Sequence, residues 1–122
     1  MRTRILIADD YDDNRELLRL LLTTANYEVA EAKNGRECVR SARETLPDLI
    51  MVDLSMPELD GWEVFRTLQA DSSTAHIPCL AVTAHTDVDC NRAMQVGFSG
   101  FVAKPFKTDE MLATIAKVVR GE

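Results

Sequence analysis

Five strand-length runs alternate along the chain with five stretches of helical periodicity, and four of those runs break off at a polar residue. Residues 4–8 (RILIA) stop at Asp9-Asp10, 49–52 (LIMV) at Asp53, 79–82 (CLAV) at Thr83-Ala84, and 100–103 (GFVA) at Lys104-Pro105. Such runs are too brief for helices, and their continuous apolarity reads as strands buried on both faces. Residues 27–32 (YEVAEA) instead alternate, which predicts an edge strand with one wetter face. Pro47 bounds the third run on one side, and Pro57 and Gly61 prevent its continuation on the other.

The intervening stretches carry apolar stripes at helical spacing. Leu17, Leu18, Leu21 and Leu22 mark the first helix, with Asp12 or Asp13 expected to cap it and Asp13/Glu16 at capping-box spacing. Asn34/Glu37 opens a second helix (Cys38, Val39, Ala42), which Pro47 closes, and Asp60/Glu63 opens a third (Val64, Phe65, Leu68). Residues 87–96 carry the weakest stripe (Cys90, Ala93, Met94), and 109–120 a clear one (Met111, Leu112, Ile115, Val118, Val119). Strands and helices in strict alternation with short connections predict a (βα)5 α/β fold, a doubly wound three-layer sandwich with a parallel sheet. Right-handed crossovers leave few topologies, of which the flavodoxin-like order 2-1-3-4-5 is the commonest. The 122 residues suffice for one domain and not for two, so residues 1–122 are expected to fold together.

Charge narrows the class of ligand. With 14 basic and 20 acidic residues the chain carries −6, which disfavours a sequence-independent nucleic-acid surface and suits a cation or protein partners. Cys38, Cys79 and Cys90 are odd in number and lack metal-site spacing; free thiols fit a reducing cytoplasm. No apolar run approaches the roughly 20 residues of a membrane span. The charged N-terminus runs straight into a strand, unlike a signal peptide.

In a doubly wound sheet, ligands sit beyond the carboxyl ends of the strands, where the strand order reverses. Here that rim receives Asp9 and Asp10 from strand 1, Asp53 from strand 3, Thr83 from strand 4 and Lys104 from strand 5. Three carboxylates gathered there repel one another unless one takes a proton or a cation joins them. An all-oxygen donor set favours a hard divalent ion, and Mg²⁺ takes few protein ligands, leaving room for water or a phosphate oxygen. A carboxylate so neutralised can attack phosphorus, while an ammonium and a hydroxyl hold the equatorial oxygens.

The acidic pair Asp9-Asp10, Asp53 within DLSMP, Thr83-Ala84, Phe101 and Lys104-Pro105, with their intervals, resemble the CheY-like receiver domains of response regulators over essentially the full chain. The resemblance implies that Asp53 is the phosphoacceptor and that Asp10 ligates Mg²⁺ directly. Asp9 would act largely through water, with the Ser55 backbone carbonyl as a further ligand. It implies that Thr83 and Lys104 contact the phosphoryl group, that Phe101 swings inward when Thr83 moves, and that the Lys104–Pro105 bond is cis. Ser55 and His85 flank the water path and vary within the family; of the two roles open to His85, sitting at the mouth of the site is favoured over holding the water. Phe101 in place of tyrosine keeps the ring without the hydroxyl.

Taken singly, each group has an ordinary structural role available: Asp9-Asp10 a solvated turn, Asp53 and Thr83 strand ends, Phe101 a core ring. Their conjunction carries the specificity. The expected protein is a cytoplasmic phosphorelay switch, not an enzyme beyond its own phosphorylation and dephosphorylation. Its expected partners are a histidine kinase or histidine phosphotransfer protein and a downstream effector, without direct nucleic-acid or membrane contact, as a monomer or a phosphorylation-dependent dimer. A stand-alone receiver or the first domain of a longer protein is expected. Two alternatives stand beside it. A flavodoxin-like redox carrier lacks support because two aspartates replace the phosphate loop after strand 1. A pseudo-receiver would bind partners without phosphoryl transfer.

Overall fold

Strands β1 (Arg4–Ala8), β2 (Glu28–Ala32), β3 (Leu49–Asp53), β4 (Cys79–Thr83) and β5 (Gly100–Ala103) pair in parallel in the order β2-β1-β3-β4-β5. They alternate with α1 (Asp12–Thr24), α2 (Gly35–Thr45), α3 (Gly61–Ala70), α4 (Asp87–Val96) and α5 (Thr108–Val119). The computed structural model describes residues 2–84 and 87–121, with the backbone alone at Asp87 and Val88; His85 lies outside the described residues.

The alternation of side chains along each strand divides the interior in two. Leu6, Ala8, Ile50, Val52 and Ala81 face one way, against Val39 and Ala42 of α2, Val64, Phe65 and Leu68 of α3, and Ala93 of α4. Ile5, Ile7, Leu49, Met51, Leu80 and Val82 face the other way, against Leu18 and Leu22 of α1 and Met111 and Ile115 of α5. Every residue of β3 and β4 is buried, which is why those runs are apolar at consecutive positions. Each fully buried aliphatic side chain contributes about 1.5–3 kcal/mol by leaving water, so a one-residue slip of register would be strongly disfavoured. The edge strand β2 has a wetter pattern, with Ala32 its one buried residue.

Helix starts differ in mechanism. Asn34 accepts from the Glu37 N–H at 2.8 Å and Asp60 from the Glu63 N–H at 3.0 Å, so the N-cap half of each predicted capping box forms. The Glu37 carboxylate instead accepts from the Lys33 N–H at 3.3 Å, one residue before the cap. The expected carboxylate cap of α1 is not formed: Tyr11 occupies that position without a side-chain bond. Asp12 and Asp13 fall inside the first turn, where a negative charge favours the helix dipole but cannot cap the helix. Along α4, Ala93 is buried whereas Met94 is 49% exposed, so Met94 does not belong to the apolar face expected of it. Adjacent helical residues point about 100° apart, and only one of the pair can face the sheet.

Two glycines permit close approach of the elements around the sheet's carboxyl rim. A Cβ at Gly61 would lie 2.6 Å from the Asp53 carbonyl oxygen, and one at Gly35 would lie 2.3 Å from that of Leu59. The first contact presses the start of α3 against the end of β3; the second packs α2 onto the loop between them.

Candidate functional site

The strand order reverses between β1 and β3, and the acidic groups meet at that edge. Register places Ala8 beside Val52 and Asp53 beside Val82, so β1, β3 and β4 end at nearly the same level. Backbone bonds extend the ladder into the loops: Asp9 N–H to the Ala32 carbonyl at 3.2 Å, Leu54 to Val82 at 3.1 Å, and Lys104 to Thr83 at 2.9 Å. Residues far apart in sequence are thereby delivered to one rim.

Asp9, Asp10 and Asp53 each offer a carboxylate oxygen, and these oxygens lie within 4.8 Å of one another. Asp9 is 1% and Asp53 3% exposed. Asp53 is held from both sides, Oδ1 accepting from the Ser55 N–H at 2.8 Å and Oδ2 from the Lys104 ammonium at 2.7 Å. Asp9 Oδ1 accepts from the Tyr11 N–H at 2.9 Å. Its Oδ2 is buried and lies 3.3 Å from Lys104 Nζ, a longer and weaker contact than the one Lys104 makes to Asp53.

The charges follow from this packing. Burial, helped by the nearby Asp53 charge, holds the Asp9 carboxyl above its ordinary range despite the Tyr11 N–H and Lys104. For Lys104, burial alone would favour the neutral amine. The hydrogen bond and charge of Asp53, with Asp9 behind them, outweigh it and raise the pKa, so the ammonium persists. One cation thus faces three carboxylates. A buried Asp9 oxygen that shares the Lys104 ammonium with Asp53, at the longer distance of 3.3 Å, stands beside two further oxygen donors, and this all-oxygen set of Asp9, Asp10 and Asp53 fits a hard divalent cation.

Thr83 is 2% exposed at the end of β4. Phe101 is 41% exposed on β5, so its ring is not a core residue. The Lys104–Pro105 peptide bond is cis. Ser55 contributes its N–H to Asp53.

Arg15 is a positioning residue that the sequence does not single out, and Gly61 has a second role beyond ending the third run. Arg15 of α1 donates Nη1 to the Asp9 carbonyl at 2.7 Å, pairs with Glu31 at 3.5 Å, and also contacts Asp12. It ties α1 and β2 to the end of β1. A lone arginine on a polar helix face gives no signal of this, because the contact depends on where β1 ends. Gly61 follows the end of β3 and, lacking a side chain, also admits the Asp53 carbonyl.

Comparison with known proteins bears on the family and the fold. The family described as response regulator receiver domain matches residues 5–116. The polar-differentiation response regulator DivK of Brucella anthropi is 36% identical over 116 residues, covering 94% of each chain. The DNA-binding response regulator MtrA of Mycolicibacterium smegmatis is also 36% identical, but this chain spans only 53% of its length, and 27% of the response regulator PleD of Caulobacter vibrioides. Among solved structures, the chemotaxis protein CheY4 of Vibrio cholerae superposes with a TM-score of 0.90 at 29% identity, covering 97% of this chain and 99% of that one. A response regulator from Chloroflexus aurantiacus superposes with a TM-score of 0.93, also at 29% identity, covering 98% and 99%.

Proposed function

The chain belongs to the response regulator receiver domain family of two-component signalling, and on that premise we propose that it is a phosphoacceptor switch with Asp53 as the acceptor. The supporting observation is the convergence on one buried carboxylate: Lys104 at 2.7 Å from Asp53, with Asp9 and Asp10 oxygens within 4.8 Å.

In the proposed step an Asp53 oxygen forms a bond to phosphorus as the bond from phosphorus to the donor breaks, the donor leaving with the electron pair. The donor is the phosphohistidine of a kinase or phosphotransfer protein, or a small acyl phosphate. Lys104 transfers its hydrogen bond from Asp53 Oδ2 to a phosphoryl oxygen, and Thr83 supplies its hydroxyl to another. Asp9, Asp10, Asp53 and the Ser55 carbonyl would hold Mg²⁺, which when bound offsets their charge and that of the transferring group. Arg15 keeps the Asp9 backbone in place throughout.

The signal then leaves through β5. Thr83, drawn toward the phosphoryl group, vacates space that the Phe101 ring, 41% exposed at rest, enters. The helix α4, in which Ala93 is fully buried among the described residues, repacks against β5 and α5. A surface hollow of about 820 Å³ lined by Phe101, Lys104 and Met111 lies on this side and would receive the effector. Residues 1–122 act as one cytoplasmic unit in this reading, monomeric or dimerising on phosphorylation, without direct nucleic-acid contact. Among the described residues, no helix is long and apolar enough to cross a membrane.

Incubation with acetyl phosphate and Mg²⁺, followed by intact-mass measurement, tests the assignment. One phosphoryl adduct that is absent from Asp53→Asn supports it; an adduct persisting in that variant overturns it.

A further inference from the structure

The face opposite in character to the acidic rim is a line of arginines on α2. Arg36, Arg40 and Arg43 recur at i, i+4 and i+7, so they project along one side of the helix over about 10 Å. They border a groove of about 430 Å³ between α2 and α3, where Val39 and Leu59 also lie. A neighbouring hollow shares Arg43 and Thr67 with it and is lined by Arg66 of α3 and by Asp71. Arg43 is engaged by Asp71 at 2.8 Å, but among the described residues Arg36, Arg40 and Arg66 have no ion-pair partner. Glu44 is the one carboxylate lining the groove. A chain of charge −6 therefore carries a net positive groove here, with Arg36 and Arg40 outside any ion pair among the described residues.

We propose that this α2–α3 groove docks an acidic amphipathic helix of a partner protein. Arg36 and Arg40, one helical turn apart, match carboxylates at the same spacing on a facing helix, each able to form a charge-assisted hydrogen bond, while Arg43 at the end of the row is already held by Asp71. Leu59 is the groove's accessible aliphatic side chain, with Val39, 7% exposed, at its floor, and it suits a leucine-type side chain set between those carboxylates, the usual anchor of helix-in-groove recognition. A nucleotide is disfavoured because no aromatic ring lines the groove for a base to stack on. Leu59 adds a connection to the site: it lies on the loop between Asp53 and the Asp60 cap, so an occupant would touch the segment that follows the acceptor.

The experiment is a titration of the isotopically labelled full chain with a synthetic helical peptide bearing glutamates at i and i+4 around a central leucine. A lysine-for-glutamate peptide, a cyclic dinucleotide and single-stranded DNA serve as competitors for the same face. The proposal expects saturable amide shifts confined to α2, α3 and the loop around Leu59. It also expects roughly tenfold weakening in Arg36→Glu/Arg40→Glu, and weakening as salt rises. Phosphoryl uptake from acetyl phosphate should be unchanged in that variant, which separates this groove from the Asp53 assignment. No saturable binding at about millimolar peptide, where even weak docking registers, overturns the proposal. So do shifts centred elsewhere, equal binding by the variant, preference for the nucleotide or DNA, or self-association through α2.

Discussion

Lys104 Nζ lies 2.7 Å from Asp53 Oδ2 and 3.3 Å from Asp9 Oδ2, a single ammonium joining the ends of β5, β3 and β1. Without it, two carboxylates that are almost wholly buried would face each other. Lys104→Met should therefore destabilise the metal-free protein by about 2–3 kcal/mol at neutral pH, the scale of breaking a largely buried ion pair at a partly wet rim. Urea unfolding measures it. Asp53→Asn combined with Lys104→Met should cost less than the sum of the two single changes, because each removes the other's partner.

A divalent cation should stabilise the fold. Where free Mg²⁺ exceeds its dissociation constant a hundredfold, the gain is about 2.7 kcal/mol, visible as a raised Tm. Asp9→Asn should blunt that response while stabilising the metal-free protein, since burial disfavours the Asp9 charge. Melting curves of both proteins with and without Mg²⁺ decide the matter. An undiminished Mg²⁺ shift in Asp9→Asn would remove Asp9 from the cation site.

The Cys38 and Cys79 thiols are both pushed from 9.0 to about 12, by burial in the core between β3, β4 and α2. Their folded values lie above the unfolded one, so the stability they support is complete below pH 9 and is lost as pH rises toward 12. The slope is roughly 1.4 kcal/mol per pH unit for each thiol. Cys79→Ala should flatten the alkaline fall of stability by one thiol's share, read by denaturant unfolding at a series of pH values. An unchanged slope would show that the thiol is not kept from water in the folded state.

Gly61→Ala places a methyl group 2.6 Å from the Asp53 carbonyl oxygen and 2.8 Å from Leu54 Cα, both backbone atoms that cannot rotate aside. The expected cost is about 1–3 kcal/mol, with slower phosphoryl uptake because the end of β3 is displaced. Gly61→Ala behaving as wild type in both assays would mean that α3 can retreat freely from the acceptor strand.

Much of this was legible before the structure. The buried runs of β3 and β4 carry no alternation because both faces are covered, and that same fact revealed them as central strands. The rim residues could be gathered because strand ends are fixed by where apolarity stops. Less legible was anything set by relative rotation. Ala93 and Met94 are neighbours in an indistinct stripe, and only packing against the sheet decides which is buried. The α1 cap departs from the expectation because the helix starts at Asp12, one residue earlier than a cap there would allow. Arg15, reaching the Asp9 carbonyl across the end of β1, leaves no trace in periodicity.

The central claim is that Asp53 takes the phosphoryl group, and the most direct measurement locates the modified residue itself. Protein treated with acetyl phosphate and Mg²⁺ is reduced with borohydride, which converts an aspartyl phosphate to homoserine, and is then mapped by peptide mass spectrometry. Homoserine at position 53 and at no other aspartate is the expected result. Homoserine at Asp9 or Asp10, or at no position when the intact mass shows an adduct, would contradict it.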